Sequence, residues 1–435
     1  MTADRHGARI GEIAGKPQYG WTTKARADGT VKLLRTTDIT SGSVDWSTVP
    51  GCDQPPPSIG KYELRPGDIV VSRAGSVGFS HLIDDGCPPH TVFASYLMRI
   101  KPDRTKVLPE YLADFLTSPQ YWQMVSDASV GVGLANVNGT KLAAMKLPLP
   151  DLTRQEEIVQ LLGSLKIRSA EVRSHLAKAR HSVKQFHRAV LAAGCAGRLT
   201  EGWRAANQAT AVTGTALAEH TLQLGKHAQV GRWKVMDIEG LSERPDGWGV
   251  APFAGLTDNF DGGRVPVRAS DRKQRQGTYP YYGASGVIDH VDSYLFDGEY
   301  LLISEDGANL LARTTPIAFI ATGQFWVNNH AHVVQGKPGI LIEYLEMVIN
   351  SINLEAYITG SAQPKLTQGA LNELPIPVPS TEEQAEIVKQ VRSLLAIAAR
   401  VHNRINVARL SIDRSTRSIL GKTFAAESAE DMENP

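Results

Sequence analysis

A heptad register that occurs twice constrains this chain more than any other feature. Ile158, Leu162, Leu165, Ser169, Val172, Leu176, Ala179, Val183, Phe186 and Val190 advance by alternating steps of four and three. The same steps recur 229 positions later at Ile387, Val391, Leu394, Ala398, Val401, Ile405, Ala408, Ile412, Ser415 and Ile419. A period of this kind makes a helix that must bury a stripe against another helix. Kept over roughly 35 residues, it implies rods of roughly 50 Å.

The duplication extends upstream of the helices. Val137, Leu142, Met145, Leu147 and Leu149 match Leu366, Leu371, Leu374, Ile376 and Val378, and Pro148 and Pro150 match Pro377 and Pro379. Further back the offset drifts, as loop insertions require. Gly67-Asp68-Ile69-Val70-Val71-Ser72-Arg73-Ala74-Gly75 is similar to Gly298-Glu299-Tyr300-Leu301-Leu302-Ile303-Ser304-Glu305-Asp306-Gly307, and Glu110-Tyr111-Leu112 to Glu343-Tyr344-Leu345. The repeating unit is a mixed globular domain followed by a long helix.

This gives an α+β expectation: two tandem mixed α/β domains at 1–151 and 245–379, and helical spacers at 152–199 and 380–424 packed as an antiparallel coiled coil with pseudo-two-fold symmetry. A linker at 200–244, with a short helix near Leu217, and a disordered acidic tail at 425–435 complete the plan. The apolar seam is Ile158, Leu162, Leu165, Val172, Leu176 and Val183 against Ile387, Val391, Leu394, Val401, Ile405 and Ile412. In the first domain 31–39, 69–73 and 93–100 read as strands and 109–125 as one helix. In the second, 279–286 reads as strand into turn and 295–305 as a strand pair. The proline alternations must be extended, so each long helix starts after them. Thr153 with Glu156, and Ser380 or Thr381 with Glu383 or Gln384, supply capping boxes.

With 435 residues, 42% of them hydrophobic and 21% charged, the chain has an ordinary globular mixture. No signal peptide or membrane-spanning run is evident, and the three cysteines lack pair spacing, which fits a reducing cytoplasm. A net charge of +1 says little about nucleic acid. The first long helix is basic, with Arg168, Arg173, Lys178, Arg180, Lys184 and Arg188 among its cations, but charge alone fits a solvated face better than a phosphate track.

The carrying motifs are Leu33-Leu34-Arg35-Thr36-Thr37-Asp38-Ile39, Gly67 to Gly75, and Leu147-Pro148-Leu149-Pro150 leading to Gln155. In the second half they are Tyr281-Tyr282-Gly283-Ala284-Ser285-Gly286, Leu302 to Gly307, and Ile376-Pro377-Val378-Pro379 leading to Gln384. In this order, twice, with a heptad helix after each, the whole chain resembles the specificity subunit of type I restriction-modification systems. The resemblance implies a non-catalytic subunit whose two target-recognition domains each read half of a bipartite, asymmetric double-stranded DNA target. The helices would fix the distance between half-sites and dock two methyltransferase subunits, joined by two restriction subunits where a nuclease is assembled. No cofactor is expected on this chain; S-adenosylmethionine, ATP and Mg belong to the partners. No membrane role and no metal site are expected.

Candidate base or phosphate contacts are Arg35, Thr37, Arg73 and Ser76 in the first domain, and Tyr282, Ser285, Asn309, Arg313 and Lys365 in the second, chosen as polar loop residues beside the motifs. For Arg73 a salt bridge within the domain is the stronger expectation, because its repeat partner Glu305 has the opposite sign. Of Tyr279, Tyr281 and Tyr282, alternation puts at least one in the core, and Tyr282 is the choice for exposure. His330 and His332 lack a third ligand and read as structural or DNA-facing. Gly421-Lys422-Thr423 fails as a phosphate loop because Thr416 stands where the first glycine belongs.

A self-sufficient methyltransferase or nuclease would need motifs that are missing. Cys87-Pro88-Pro89-His90 is the nearest approach, and it lacks both the amide or acid and the aromatic ring. A specificity subunit of a methylation-only system and a coiled-coil adaptor without DNA binding are the alternatives.

Overall fold

The computed structural model describes residues 7–129, 137–207, 213–224, 244–360 and 363–433. The chain divides into two compact units, one of Met1–Ala177 with Asn406–Pro435 and one of Lys178–Ile405. Both long helices are present, at Leu152–Cys195 and Thr381–Glu433, and each contributes to both units.

In the first unit a four-stranded antiparallel sheet has the order Gln18–Tyr19, Leu97–Ile100, Ile69–Ser72, Ser80–Leu82. Its central strands are buried at every position because both faces are covered, Arg99 being the one charged residue in them. The pleat sends Ile69 and Val71 into a core with Tyr111, Phe115 and Leu162, and Val70 into another with Leu34, Phe93 and Ile83. The expected strand at 31–39 is shorter, Leu33–Leu34, followed by a helical turn at Thr36–Ile39, because the Asp38 carboxylate accepts from the Arg35 amide and closes the turn. The expected single helix at 109–125 is two, Pro109–Phe115 and Pro119–Ser129. Pro119 cannot continue the first helix, and Ser118 Oγ accepts the Tyr121 amide at 3.2 Å to start the second.

The second unit carries a six-stranded sheet in the order Thr257–Asn259, Ala331–Gly336, Phe296–Ser304, Ala318–Val327, Tyr279–Gly283, Gly286–Val291. All pairs are antiparallel except Tyr279–Gly283 with Ala318–Val327. Phe296–Ser304 is one strand where a strand pair was expected at 295–305. The short helix expected near Leu217 is present as Gly214–Leu224, and it buries Leu217 and Ala218 in the core of the second domain, beside Trp248, Phe253 and Val378.

The proline alternations act as extended ties in both units. Lys146–Leu147 pairs with Ala8–Arg9 and Pro375–Val378 with Gly249–Pro252, both antiparallel. Tyr111 donates its hydroxyl to the Pro148 carbonyl and Tyr344 to the Pro377 carbonyl, each at 2.9 Å. The first long helix is capped by Asp151, whose Oδ1 accepts the Arg154 amide at 2.8 Å, and not by Thr153 as expected. The second is capped by Ser380, which accepts from the Glu383 amide at 3.2 Å.

Within each unit the start of one long helix packs against the far portion of the other. In the first, Ile158 and Leu162 are buried with Leu420 and Phe424, Ser169 Oγ lies 3.3 Å from Thr416 Oγ1, and Arg173 pairs with Asp413 at 2.9 Å. In the second, Ile387 and Val391 are buried with Val190 and Leu191. Ala398 and Ile405 are buried, and Leu165, Leu176, Val183, Leu394 and Ile412 are half-buried. Val172 and Val401, equivalent in the repeat, are 42% and 40% exposed and do not belong to a closed seam. Two helices cover only a narrow stripe, and a heptad drifts about 20° per repeat on a straight helix, which turns such positions outward. The 425–435 segment, expected as a disordered tail, continues the helix to Glu433, and Glu427 is buried against Arg154 at 2.9 Å.

Candidate nucleic-acid interface

The strand Ile69–Ser72 ends at Arg73 and the strand Phe296–Ser304 ends at Glu305, and the backbone around the two residues is the same. The Arg73 amide donates to the Tyr96 carbonyl and the Glu305 amide to the His330 carbonyl, both at 2.9 Å. The Arg73 carbonyl accepts the Val137 amide at 3.2 Å and the Glu305 carbonyl the Leu366 amide at 2.8 Å. Each preceding serine donates its hydroxyl to a loop carbonyl, Ser72 to Ser76 and Ser304 to Ala284. A junction of three chain segments is thus built twice from backbone bonds, leaving its side chains free to differ.

In the first domain the Arg73 guanidinium carbon lies 4.9 Å from the centroid of the Tyr19 ring. Tyr19 is fixed in turn, because its hydroxyl accepts the Gly139 amide at 2.8 Å. The expected salt bridge of Arg73 is not found: among the described residues no carboxylate pairs with it. Ser76, three residues after Arg73, is exposed, as are Thr37 and Tyr96, the latter at 62%. Arg35 is committed elsewhere, donating to Asp38 at 2.7 and 3.0 Å, so it serves the local turn.

The second domain meets the opposite sign at the equivalent position by neutralising it. Arg264 lies 2.7 Å and Lys365 3.0 Å from the Glu305 carboxylate. Burial alone would raise Glu305, but the hydrogen bonds from Arg264 and Lys365 outweigh it and hold the carboxyl below its ordinary value. His332 is buried, with Nδ1 2.6 Å from Asp261 and Nε2 2.9 Å from the Leu366 carbonyl. It therefore pins the junction, while His330 pairs with Asp306 at 2.8 Å. Asp261, despite its burial, is also held low, chiefly by the His332 hydrogen bond.

Three of the expected contacts in this domain are structural. Asn309 Oδ1 accepts the amides of Thr314 and Thr315 at 3.0 and 3.1 Å, and its Nδ2 donates to the Thr315 carbonyl at 3.0 Å, which closes the loop. Arg313, in the left-handed region at φ 48°, donates to the Ile352 carbonyl at 2.7 Å and caps the helix Ile342–Ser351. Tyr282 is half-buried, stacked on Phe319 at 5.8 Å and edge-on to Phe325, and burial pushes its phenol up. Tyr281 is the core tyrosine, as alternation requires. Ser285 and Lys365 are exposed.

The sequence offered no signal for Tyr19, Tyr96, Asp261 or Arg264. Tyr19 and Tyr96 reach Arg73, Arg264 reaches Glu305 and Asp261 reaches His332 across long stretches of chain, and none belongs to a motif.

Each unit also presents apolar surface on its helices. Leu161, Ile167, Val407 and Leu410 are exposed in the first. In the second a cavity of about 420 Å³ is lined by Leu191, Met347, Val391 and Leu395 together with Arg188 and Glu346, whose carboxyl burial raises. Among the described residues no helix is long and apolar enough to cross a membrane.

Comparison with known proteins assigns both repeats to one family. A family model described as the type I restriction modification DNA specificity domain matches residues 9–172 and again residues 245–408. The chain is 23% identical over 417 residues to the type I restriction enzyme StySPI specificity subunit of Salmonella potsdam, covering 92% of this chain and 83% of that one. It is 36% identical over 148 residues to the putative type I restriction enzyme specificity subunit S.HindORF215P of Haemophilus influenzae, which is 34% of this chain and 37% of that one. A chain solved in work on complex assembly and conformational transition of the type I R-M system superposes with a TM-score of 0.66 over 96% of both chains, at 18% identity, a likeness of fold.

Proposed function

The chain belongs to the family of type I restriction-modification DNA specificity subunits, and from that premise we propose that its two globular domains read the two halves of a split, asymmetric DNA target. The observation that carries this reading is the duplicated junction: identical backbone bonds around Arg73 and Glu305, with side chains of opposite sign. Two readers of one build but different chemistry suit a target whose halves differ in sequence.

The long helices dock the modification subunits through their exposed apolar positions, one per unit, so that two similar halves receive two identical partners. Methyl transfer from S-adenosylmethionine to adenine, and cleavage driven by ATP and Mg where restriction subunits join, take place on those partners in the cytoplasm. This chain supplies target choice and no catalytic group.

The test is modified-base sequencing of host DNA with and without this gene, the modification gene left intact. Loss of adenine methylation at one split motif is the expected result. Replacing residues 1–151 with the corresponding domain of another family member should then change one half-site and leave the other. Methylation that persists without the gene, or a swap that alters both halves, would overturn the reading.

A further inference from the structure

We propose that Arg73 reads a guanine in the half-site of the first domain, with Tyr19 as its positioning residue. We further propose that the second domain, with Glu305 at the same backbone position, reads its half-site by a different contact. The inference rests on the reading of the domains as DNA readers given above.

Arg73 is set apart by what it lacks. Every other arginine withdrawn from the surface among the described residues donates to a carboxylate or a carbonyl, as Arg35 does to Asp38, Arg264 to Glu305 and Arg313 to the Ile352 carbonyl. Arg73 does neither among them, and its Nε is buried with no hydrogen-bond partner. Nε is closed off from any outside partner, but the two terminal nitrogens are not buried in this way, so they remain for an acceptor outside the protein, and a partly desolvated guanidinium gains from one.

Its position is nevertheless fixed. Two backbone hydrogen bonds, to Tyr96 and from Val137, hold the residue itself, and the Tyr19 ring holds the guanidinium at 4.9 Å. Tyr19 is locked by strand pairing with Met98 and by the Gly139 amide. A guanidinium fork held in one place matches the O6 and N7 acceptors of guanine, which take two parallel donors. Exposed Tyr96 and Ser76 lie on the two segments that flank it.

The second domain cannot use this contact. Glu305 puts an acceptor where Arg73 puts donors, and Arg264 and Lys365 already occupy it. A sign change at a duplicated backbone junction is thus one source of asymmetry between the two half-sites.

The experiment uses the full chain assembled with its modification subunits, and compares methylated motifs by modified-base sequencing for wild type, Arg73→Ala, Arg73→Lys, Tyr19→Phe and Tyr19→Leu. Arg73→Ala should lower discrimination at one G·C pair of one half-site by roughly tenfold to hundredfold, the worth of a bidentate contact. Arg73→Lys should restore it only in part. Tyr19→Phe keeps the ring and should keep the motif, whereas Tyr19→Leu should relax the same base pair. Continued reading of the second half-site shows that each variant is folded. An unchanged motif overturns the proposal, as does a uniform fall in methylation at all sites, which marks a phosphate contact. A wild type that methylates no split motif overturns the reader function, and this inference with it.

Discussion

Gln155 and Gln384, 229 positions apart, are both fully buried and make the same three hydrogen bonds. Each side-chain carbonyl accepts a backbone amide, that of Leu108 at 2.9 Å or Leu341 at 2.8 Å. Each side-chain amide donates to two carbonyls, those of Lys106 and Pro150 in the first copy and Gly339 and Pro379 in the second. A glutamine in the first turn of each long helix thus ties the proline segment behind it to the loop ahead of the tyrosine-bearing helix.

Gln155→Leu removes all three bonds at once and strands a buried amide and two carbonyls. At about 1–3 kcal/mol for each group left unsatisfied, some of it relieved by water, a loss of about 3 kcal/mol is expected. Hydrogen exchange checks both size and place: the Leu108 amide should lose protection while that of Leu341 keeps it. Equal loss at both would mean that the two units unfold together.

Gly194 and Gly163 lie on the same helix and should respond in opposite directions. A Cβ on Gly194 would meet Val391 Cγ2 at 2.8 Å and Met347 Sδ at 3.3 Å, so Gly194→Val should wedge the helix from its neighbour and cost about 1–3 kcal/mol. Gly163 has nothing within 4 Å, and Gly163→Ala should add up to about 1 kcal/mol through helix propensity. The shift of the urea midpoint for each variant decides the matter. A Gly194 variant as stable as wild type would show that the packing there yields.

Much of this architecture was legible because it is periodic or local. The heptads gave the helices, and the proline alternations gave the extended ties. Where the reading failed, a single contact between distant residues decides the outcome. The tail past residue 425 is acidic and looks unfolded, yet Arg154 from the first half holds its Glu427, and Tyr111 packs on Phe424 just ahead of it. The short helix expected near Leu217 did form in a segment of little apolar periodicity, because Leu217 and Ala218 suffice to dock it once the second domain offers a face. Among the site residues, loop polarity pointed to Asn309 and Arg313 without revealing that their donors are consumed by neighbouring carbonyls.

Acid should weaken the second domain through Asp261 and Glu305. Both carboxyls are held below their ordinary values of 3.8 and 4.5, so the folded state favours their charged forms. Their contribution is complete above the unfolded values and is lost as pH falls through the lower folded ones. Hydrogen exchange at the Val333 amide, which donates to Asp261, should report this loss as the pH falls, and Asp261→Asn with Glu305→Gln should flatten the acid limb while lowering stability at neutral pH. An acid limb as steep in the double variant would place the effect elsewhere.

Phe424 and Glu427 should differ sharply in what their removal costs. Phe424 is fully buried, edge-on to Tyr111 and Phe115 at 5.4 Å from each, so Phe424→Ala opens a cavity among rigid rings and should cost about 3–5 kcal/mol. Glu427→Ala removes a carboxylate from Arg154, but Arg154 keeps Glu157 at 2.9 Å and is exposed to water, so about 1 kcal/mol is expected. The comparison in the second unit runs the other way. Glu383 is buried and accepts from Thr200 at 2.8 Å, Trp248 at 2.9 Å and Arg204 at 3.0 Å, so Glu383→Ala strands three donors and should cost about 3–5 kcal/mol, as expected for breaking a buried pair. Urea unfolding of the three variants should therefore rank Glu427→Ala mildest. A Glu427 variant as damaged as the Glu383 variant would mean that the far end of the second helix depends on its ion pair and not on the aromatic cluster.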